Sequence, residues 1–131
     1  MVQGSDIGWV AGLFDGEGSI FLKPRLRFPP QVNITIVNTE KDLLVKAQSI
    51  LDELEIDSSL LLSRSGKDGR KPLFKIQISN GPSVRRFFAK LPIHSPAKLA
   101  RYEELRSFIP SRSRAHSTRH TRLARQYSTL L

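Results

Sequence analysis

A chain of 131 residues that is 39% hydrophobic allows one domain with one core, and it argues against both disorder and two full domains. Lys and Arg outnumber Asp and Glu by 21 to 12, and the net charge of +9 points to a polyanion, most simply nucleic acid. No cysteine is present, which excludes disulfides and thiolate metal sites. No secretory leader or membrane-length apolar run is visible, so an intracellular protein without a membrane partner is expected.

Residues 5–16 read as a first helix with Ser5 or Asp6 as N-cap, because Ile7, Val10, Ala11 and Phe14 follow the i, i+3, i+4, i+7 spacing of a core face. Gly8 and Gly12 lie four apart on another face. Each costs about 1 kcal/mol relative to alanine in a helix, a cost that close approach of another backbone offsets. That backbone belongs either to a neighbouring element of the same chain or to a second helix in a dimer. The helix ends in Asp15-Gly16-Glu17-Gly18, two acids where the helix dipole disfavours negative charge by about 0.3–1 kcal/mol each. A bound divalent cation would compensate, since hard cations take carboxylate and backbone carbonyl oxygens.

After Gly18 the period becomes two. Ser19, Lys23, Arg25 and Arg27 alternate with Ile20, Leu22, Leu26 and Phe28, with Phe21 as an apolar exception on the polar side. Beyond the turn at Pro29-Pro30, Gln31, Asn33 and Thr35 alternate with Val32, Ile34 and Ile36. The pattern predicts a half-buried antiparallel hairpin. Its outer face carries the side-chain types that read base edges, and no acid occurs from Ser19 to Thr39.

Thr39 to Asp42 resembles a capping box opening a second helix, whose stripe runs through Leu43, Leu44, Ala47, Ile50, Leu51 and Leu54. Glu40, Asp42, Asp52, Glu53, Glu55 and Asp57 concentrate the acids here, so this helix is expected behind the sheet, away from a polyanion. Residues 58–64 and 73–79 read as a second hairpin, with Phe74, Ile76 and Ile78 inward and Lys75, Gln77 and Ser79 outward. Arg64, Lys67, Arg70 and Lys71 make its connection basic and suited to phosphates. Asn80 to Ser83 forms a turn and N-cap, and the third helix buries Val84, Phe87, Phe88 and Leu91. A last helix over 97–109 follows Pro92 and Pro96. Residues 111–131 carry Arg112, Arg114, Arg119, Arg122 and Arg125 and no acid, a basic tail that adds sequence-independent phosphate affinity. The domain is expected over 1–110 and the tail, disordered alone or in contact with DNA, over 111–131.

Val10-Ala11-Gly12-Leu13-Phe14-Asp15-Gly16-Glu17-Gly18 resembles the signature of the LAGLIDADG homing endonucleases, and the αββαββα order over residues 5–109 matches that family's core. The resemblance implies an α+β fold with a saddle-like antiparallel sheet and helices on its back. It implies a site-specific endonuclease that cleaves double-stranded DNA at a long, pseudo-palindromic target by metal-dependent phosphodiester hydrolysis. With a single motif, the active form would be a homodimer joined through Gly8, Ala11, Gly12 and Asp15. Glu17 would be the essential ligand for Mg2+ (or Mn2+), and Gly16 would offer its carbonyl; Asp15 would brace the helix end. Lys98 would polarise the scissile phosphate, with His94 as a weaker alternative, and Thr35 or Asn38 would organise active-site water. Base readout falls to Ser19, Lys23, Arg25, Arg27, Gln31, Asn33, Lys75 and Gln77, with Arg64, Lys67, Arg70 and Lys71 at the margins. The alternatives are an inactive relative serving as an intron RNA maturase or DNA-binding regulator, and a basic module of ribosomal character.

Overall fold

A computed structural model describes residues 2–110. Its elements run α1 (Gly4–Glu17), β1 (Gly18–Lys23), β2 (Gln31–Asn38), α2 (Lys41–Glu53), β3 (Ser59–Arg64), β4 (Leu73–Ile78), α3 (Gly81–Lys90) and α4 (Pro96–Leu105), closing with a 3-10 turn at Arg106–Phe108. The four strands form one antiparallel sheet in the order β1-β2-β4-β3. The two hairpins are thus joined through their second strands, an α+β architecture as the sequence predicts. The basic tail lies outside the described residues. No helix among the described residues is long and apolar enough to cross a membrane.

One face of the sheet is the core. Ile34, Ile36, Ile76 and Ile78 are fully buried there, together with Val10, Ala11 and Phe14 of α1, Leu44, Ala47 and Leu51 of α2, and Val84 and Phe87 of α3. Removing this apolar area from water, at about 25 cal/mol per Å2, is what binds the helices to the sheet. Phe14 is the centre of an aromatic cluster, with edge-on contacts to Phe87 at 4.9 Å and Phe88 at 5.8 Å, and Phe88 stacks on Tyr102 at 4.1 Å. The same ring dictates Gly18: a Cβ there would stand 2.2 Å from the ring and 2.7 Å from the Phe14 carbonyl oxygen.

Several expectations are corrected. β1 stops at Lys23, and residues 24–30 form a loop, because Pro24 has no N–H for a ladder. Arg25 and Arg27 therefore lie on this loop rather than on a strand, with Leu26 and Phe28 exposed. α1 begins at Gly4 with Gln3 as N-cap, not Ser5 or Asp6. α2 begins after Glu40 without a side-chain cap; instead Asn38 Oδ1 accepts the Glu40 N–H at 2.7 Å. The last helix ends at Leu105 rather than Ile109, and Leu99 on its expected apolar side is exposed. The N-cap at Asn80 is as expected, its side chain accepting the Ser83 N–H at 3.1 Å.

The basic side chains of α3 are used internally. Arg86 donates to the Glu55 carbonyl and Lys90 to the Leu54 carbonyl, at the end of α2, while Arg85 donates to the Ile109 carbonyl. Cations at a helix C-terminus complement its dipole. From the Gly18 geometry, Gly18→Ala is expected to lower stability by about 1–3 kcal/mol through overpacking. Gly12→Ala, with open space beyond the Cα, should leave the protomer's stability equal or higher; thermal melts of the two variants check this contrast.

Candidate active site

The last turn of α1 carries Asp15, Gly16 and Glu17, and the three diverge. The carbonyls of a helix's final turn lack intrahelical partners, and here Lys98 supplies them. Its ammonium donates to the Phe14 carbonyl at 2.8 Å and to the Asp15 carbonyl, and it lies 5.3 Å from the Phe14 ring centre. Asp15 turns the other way. Its carboxylate accepts the N–H of Ser95 at 2.9 Å and of His94 at 3.0 Å, in the loop before α4. Ser95 then caps α4, its Oγ accepting the Lys98 N–H at 3.3 Å. The end of α1 and the start of α4 are therefore tied by two reciprocal contacts, carboxylate to amides and ammonium to carbonyls.

Of the residues expected at a dimer seam, Asp15 has both its carboxylate oxygens engaged within the chain, as a brace between α1 and the loop before α4. Ala11, another of them, is 1% exposed and packed in the protomer's own core. Gly8 and Gly12 are exposed, and Gly4 and Gly16 continue their row at four-residue intervals. A Cβ at any of the four would meet nothing within 4 Å. No element of the described chain covers this glycine face. His94 is exposed and contributes its backbone to Asp15.

Glu17 is exposed at the end of the glycine face, where one carboxylate oxygen accepts from Asn38 Nδ2 at 2.8 Å. The Asn38 amide is oriented by its other end: Oδ1 takes the Glu40 N–H, so Nδ2 faces the carboxylate. Thr35 is buried and its hydroxyl pairs with Ser19 Oγ at 2.9 Å. The contact to Glu17 thus comes from Asn38 and not Thr35. The reason is strand length: Thr35 sits opposite Ser19, whereas Asn38 reaches past Gly18 to the helix end. Among the described residues no group of three or more His, Cys, Asp or Glu side chains gathers for a metal. The hard oxygens that could hold a divalent cation at this helix end are the Glu17 carboxylate and the Gly16 carbonyl.

The sheet face opposite the helices presents the predicted readers in rows. Ser19, Thr35, Gln77 and Ser59 form one row across all four strands; Phe21 lies opposite Asn33, and Lys23 opposite Gln31. Lys75 pairs with Val37 and Leu61 in a further row. Asn33 is on the expected face but is not accessible: it is 1% exposed, beside Phe21. Ser59, Val37 and Leu61 share this face and escaped prediction, since only strand pairing places them there. Lys67, Arg70 and Lys71 are exposed on the β3–β4 loop, which turns at Asp68 and Gly69 with positive φ. Arg64 donates to the Lys71 carbonyl at 3.3 Å, and Arg25 bonds the Pro29 carbonyl at 2.9 Å with its guanidinium 5.3 Å over Phe28.

A family model described as a LAGLIDADG-like domain matches residues 5–92. Among solved structures, the homing endonuclease I-CvuI in complex with its target is 20% identical, with a TM-score of 0.61 over 83% of this chain and 72% of that one. The group I intron-encoded homing endonuclease I-CeuI, complexed with DNA, is 16% identical with a TM-score of 0.55, and the match spans 82% of this chain but 55% of I-CeuI. The homing endonuclease I-TnaI is 21% identical, with a TM-score of 0.55 over 83% of this chain and 74% of that one. At these identities the structural likeness is one of fold. Comparison with curated proteins gives no match.

The brace between α1 and α4 generates a stability prediction. Asp15→Ala leaves the His94 and Ser95 amides without their acceptor, and should cost about 1–3 kcal/mol in denaturant unfolding. Glu17→Ala removes an exposed side chain and should change stability by no more than about 0.5 kcal/mol.

Proposed function

This chain belongs to the LAGLIDADG family, and we propose that it is a site-specific DNA endonuclease that acts as a homodimer with a divalent cation, Mg2+ or Mn2+. The observation that carries the reading is the place of Glu17. It is an accessible carboxylate where an uncovered glycine face meets an acid-poor, amide- and cation-bearing sheet face.

The glycine face supports the dimer. Gly4, Gly8, Gly12 and Gly16 let another helix approach α1 backbone to backbone, and a two-fold copy of α1 is the partner of matching shape. Such packing would bring two Glu17 carboxylates together and supply the second acid that one protomer lacks. Gly8 and Gly12, inside the helix, cost about 1 kcal/mol each, a loss that an interface offsets and solvent does not.

When bound, divalent cations supply Lewis-acid polarisation of the phosphodiester and a water acidic enough to attack it. Glu17 and the Gly16 carbonyl would hold them. Asn38 fixes the Glu17 carboxylate by one oxygen and leaves the other for ligation. Lys98 holds a positive charge on the Phe14 and Asp15 carbonyls in the same last turn of α1, and would favour the negative charge of a phosphate brought to this helix end. The sheet face of each protomer would lie in a major groove, so the target would be long and nearly palindromic. The I-CvuI and I-CeuI structures hold DNA, and the first was obtained with calcium.

Glu17→Gln is expected to lower cleavage by about two to three orders of magnitude while binding of the selected target in calcium changes little. Gel-shift and nicking assays on the same duplex separate the two effects; full cleavage by this variant would remove Glu17 from the site. Gly12→Leu fills the glycine face, and should give a folded protomer that sediments as a monomer and fails to cut both strands. A wild-type chain that is monomeric on its target would exclude the homodimer.

A further inference from the structure

Asn33 is the one predicted base reader that the fold hides. The strand period places it between Gln31 and Thr35 on the face opposite the helices, at the middle of β2. It is nevertheless 1% exposed, and neither its Nδ2 nor its Oδ1 has a hydrogen-bond partner among the described residues. A buried amide with donor and acceptor both unmatched carries an uncompensated desolvation cost. The neighbouring hydroxyls do not relieve it, since Thr35 and Ser19 pair with each other.

On the same face a large apolar residue stands directly across the strand pair. Phe21 is the Cα partner of Asn33 in the β1–β2 ladder and shares its face. Side chains so placed have Cβ atoms about 4.5–5.5 Å apart. Phe21 is the large apolar side chain of β1 on this side, and it is 37% exposed beside an amide that is 1% exposed.

We propose that Asn33 is a base-reading amide held beneath the Phe21 ring, and that a docking A·T base pair displaces the ring and takes the amide. The chemistry of the two side chains matches the two halves of that pair. An asparagine amide donates to adenine N7 and accepts from its N6 amino group, while a phenyl ring makes apolar contact with the thymine methyl. The guanine edge offers two acceptors, O6 and N7, so on that base the amide cannot make the donor-plus-acceptor pair that adenine allows. The inference rests on the sheet being the DNA-reading face, as proposed above.

The test uses the full chain and Asn33→Val, with selection of bound duplexes from a random library in calcium and thermal melts of the free proteins. Removing an unpartnered buried amide in favour of a β-branched residue should raise the Tm. The same variant should lose at least about tenfold of the preference for A·T at one position in each half-site. A purely structural asparagine gives the opposite pattern, and a lower Tm or an unchanged preference in Asn33→Val overturns the proposal. On wild-type protein, 7-deazaadenine or uracil at that position should each weaken binding, and Phe21→Ala should abolish the uracil effect alone. These substitutions in the DNA test the contact on the wild-type protein alone, and indifference of the wild-type chain to both overturns the proposal. A wild-type chain that selects no sequence at all would instead remove sequence reading by the sheet, and this proposal with it.

Discussion

The end of α1 is held to the start of α4, and the site depends on that clamp. A helix that ends in two acids is electrostatically disfavoured at its own C-terminus. Here each half of the difficulty is met by the same short segment of chain. Lys98 places a cation on the terminal carbonyls, and the His94 and Ser95 amides take the Asp15 carboxylate. With Asp15 absorbed into structure, Glu17 is the acid left facing outward. The clamp therefore divides the labour of two carboxylates that look alike in the sequence.

The packing beneath the clamp explains why the glycines of the motif differ from one another. Gly18 is required by the protomer itself, because the Phe14 ring occupies the space of its Cβ. Gly4, Gly8, Gly12 and Gly16 are required by nothing in the protomer, since each faces open space. A residue type that weakens the helix and packs against no part of the described chain needs a reason outside it. The recurrence every four residues gives a continuous row, and Glu17 stands one residue beyond the row's last member.

Periodicity in the sequence was sufficient for the element order, the two hairpins and the core face, because burial of Val10, Phe14, Ile34, Ile36, Ile76 and Ile78 follows directly from spacing of 3.6 or two. It failed where a single residue overrode the pattern, as Pro24 did by ending β1 before the alternation of residues 25–28. It failed also where the outcome lay across a strand pair or between distant segments. Ala11 and Gly12 are adjacent and both small, yet one is core and the other open. The partners of Asp15 are about eighty residues away, beyond any local rule. Lys98 was legible only through the resemblance, and the internal contacts of its ammonium were not legible at all. Asn33 has the right residue type on the right face; that it is buried there, across the strand pair from Phe21, is not written in the alternation.

The charge distribution carries the same logic to the whole surface. A net charge of +9 does not by itself say where a polyanion binds. Within the described residues, the cations away from the sheet face are matched inside the chain. Lys98, Arg85, Arg86 and Lys90 donate to carbonyls, Arg101 and Arg106 pair with Glu104 and Glu103, and Lys41 and Lys46 lie over Phe74 and Trp9. Lys23, Arg27, Lys67, Arg70 and Lys71 are exposed on the sheet's edge strand and loops, with Lys75 half-buried between them. The acids of α2 are sequestered at the far side of the sheet, where the apolar stripe of that helix packs against β2 and β4. A duplex approaching from the helical side would meet Asp42, Glu53 and Glu55; one approaching the sheet meets cations and amides on two loops and three strands. Coulomb attraction thus favours the sheet face for a polyanion, and the Glu17 end of α1 stands where β1 begins and β2 ends, at Gly18 and Asn38.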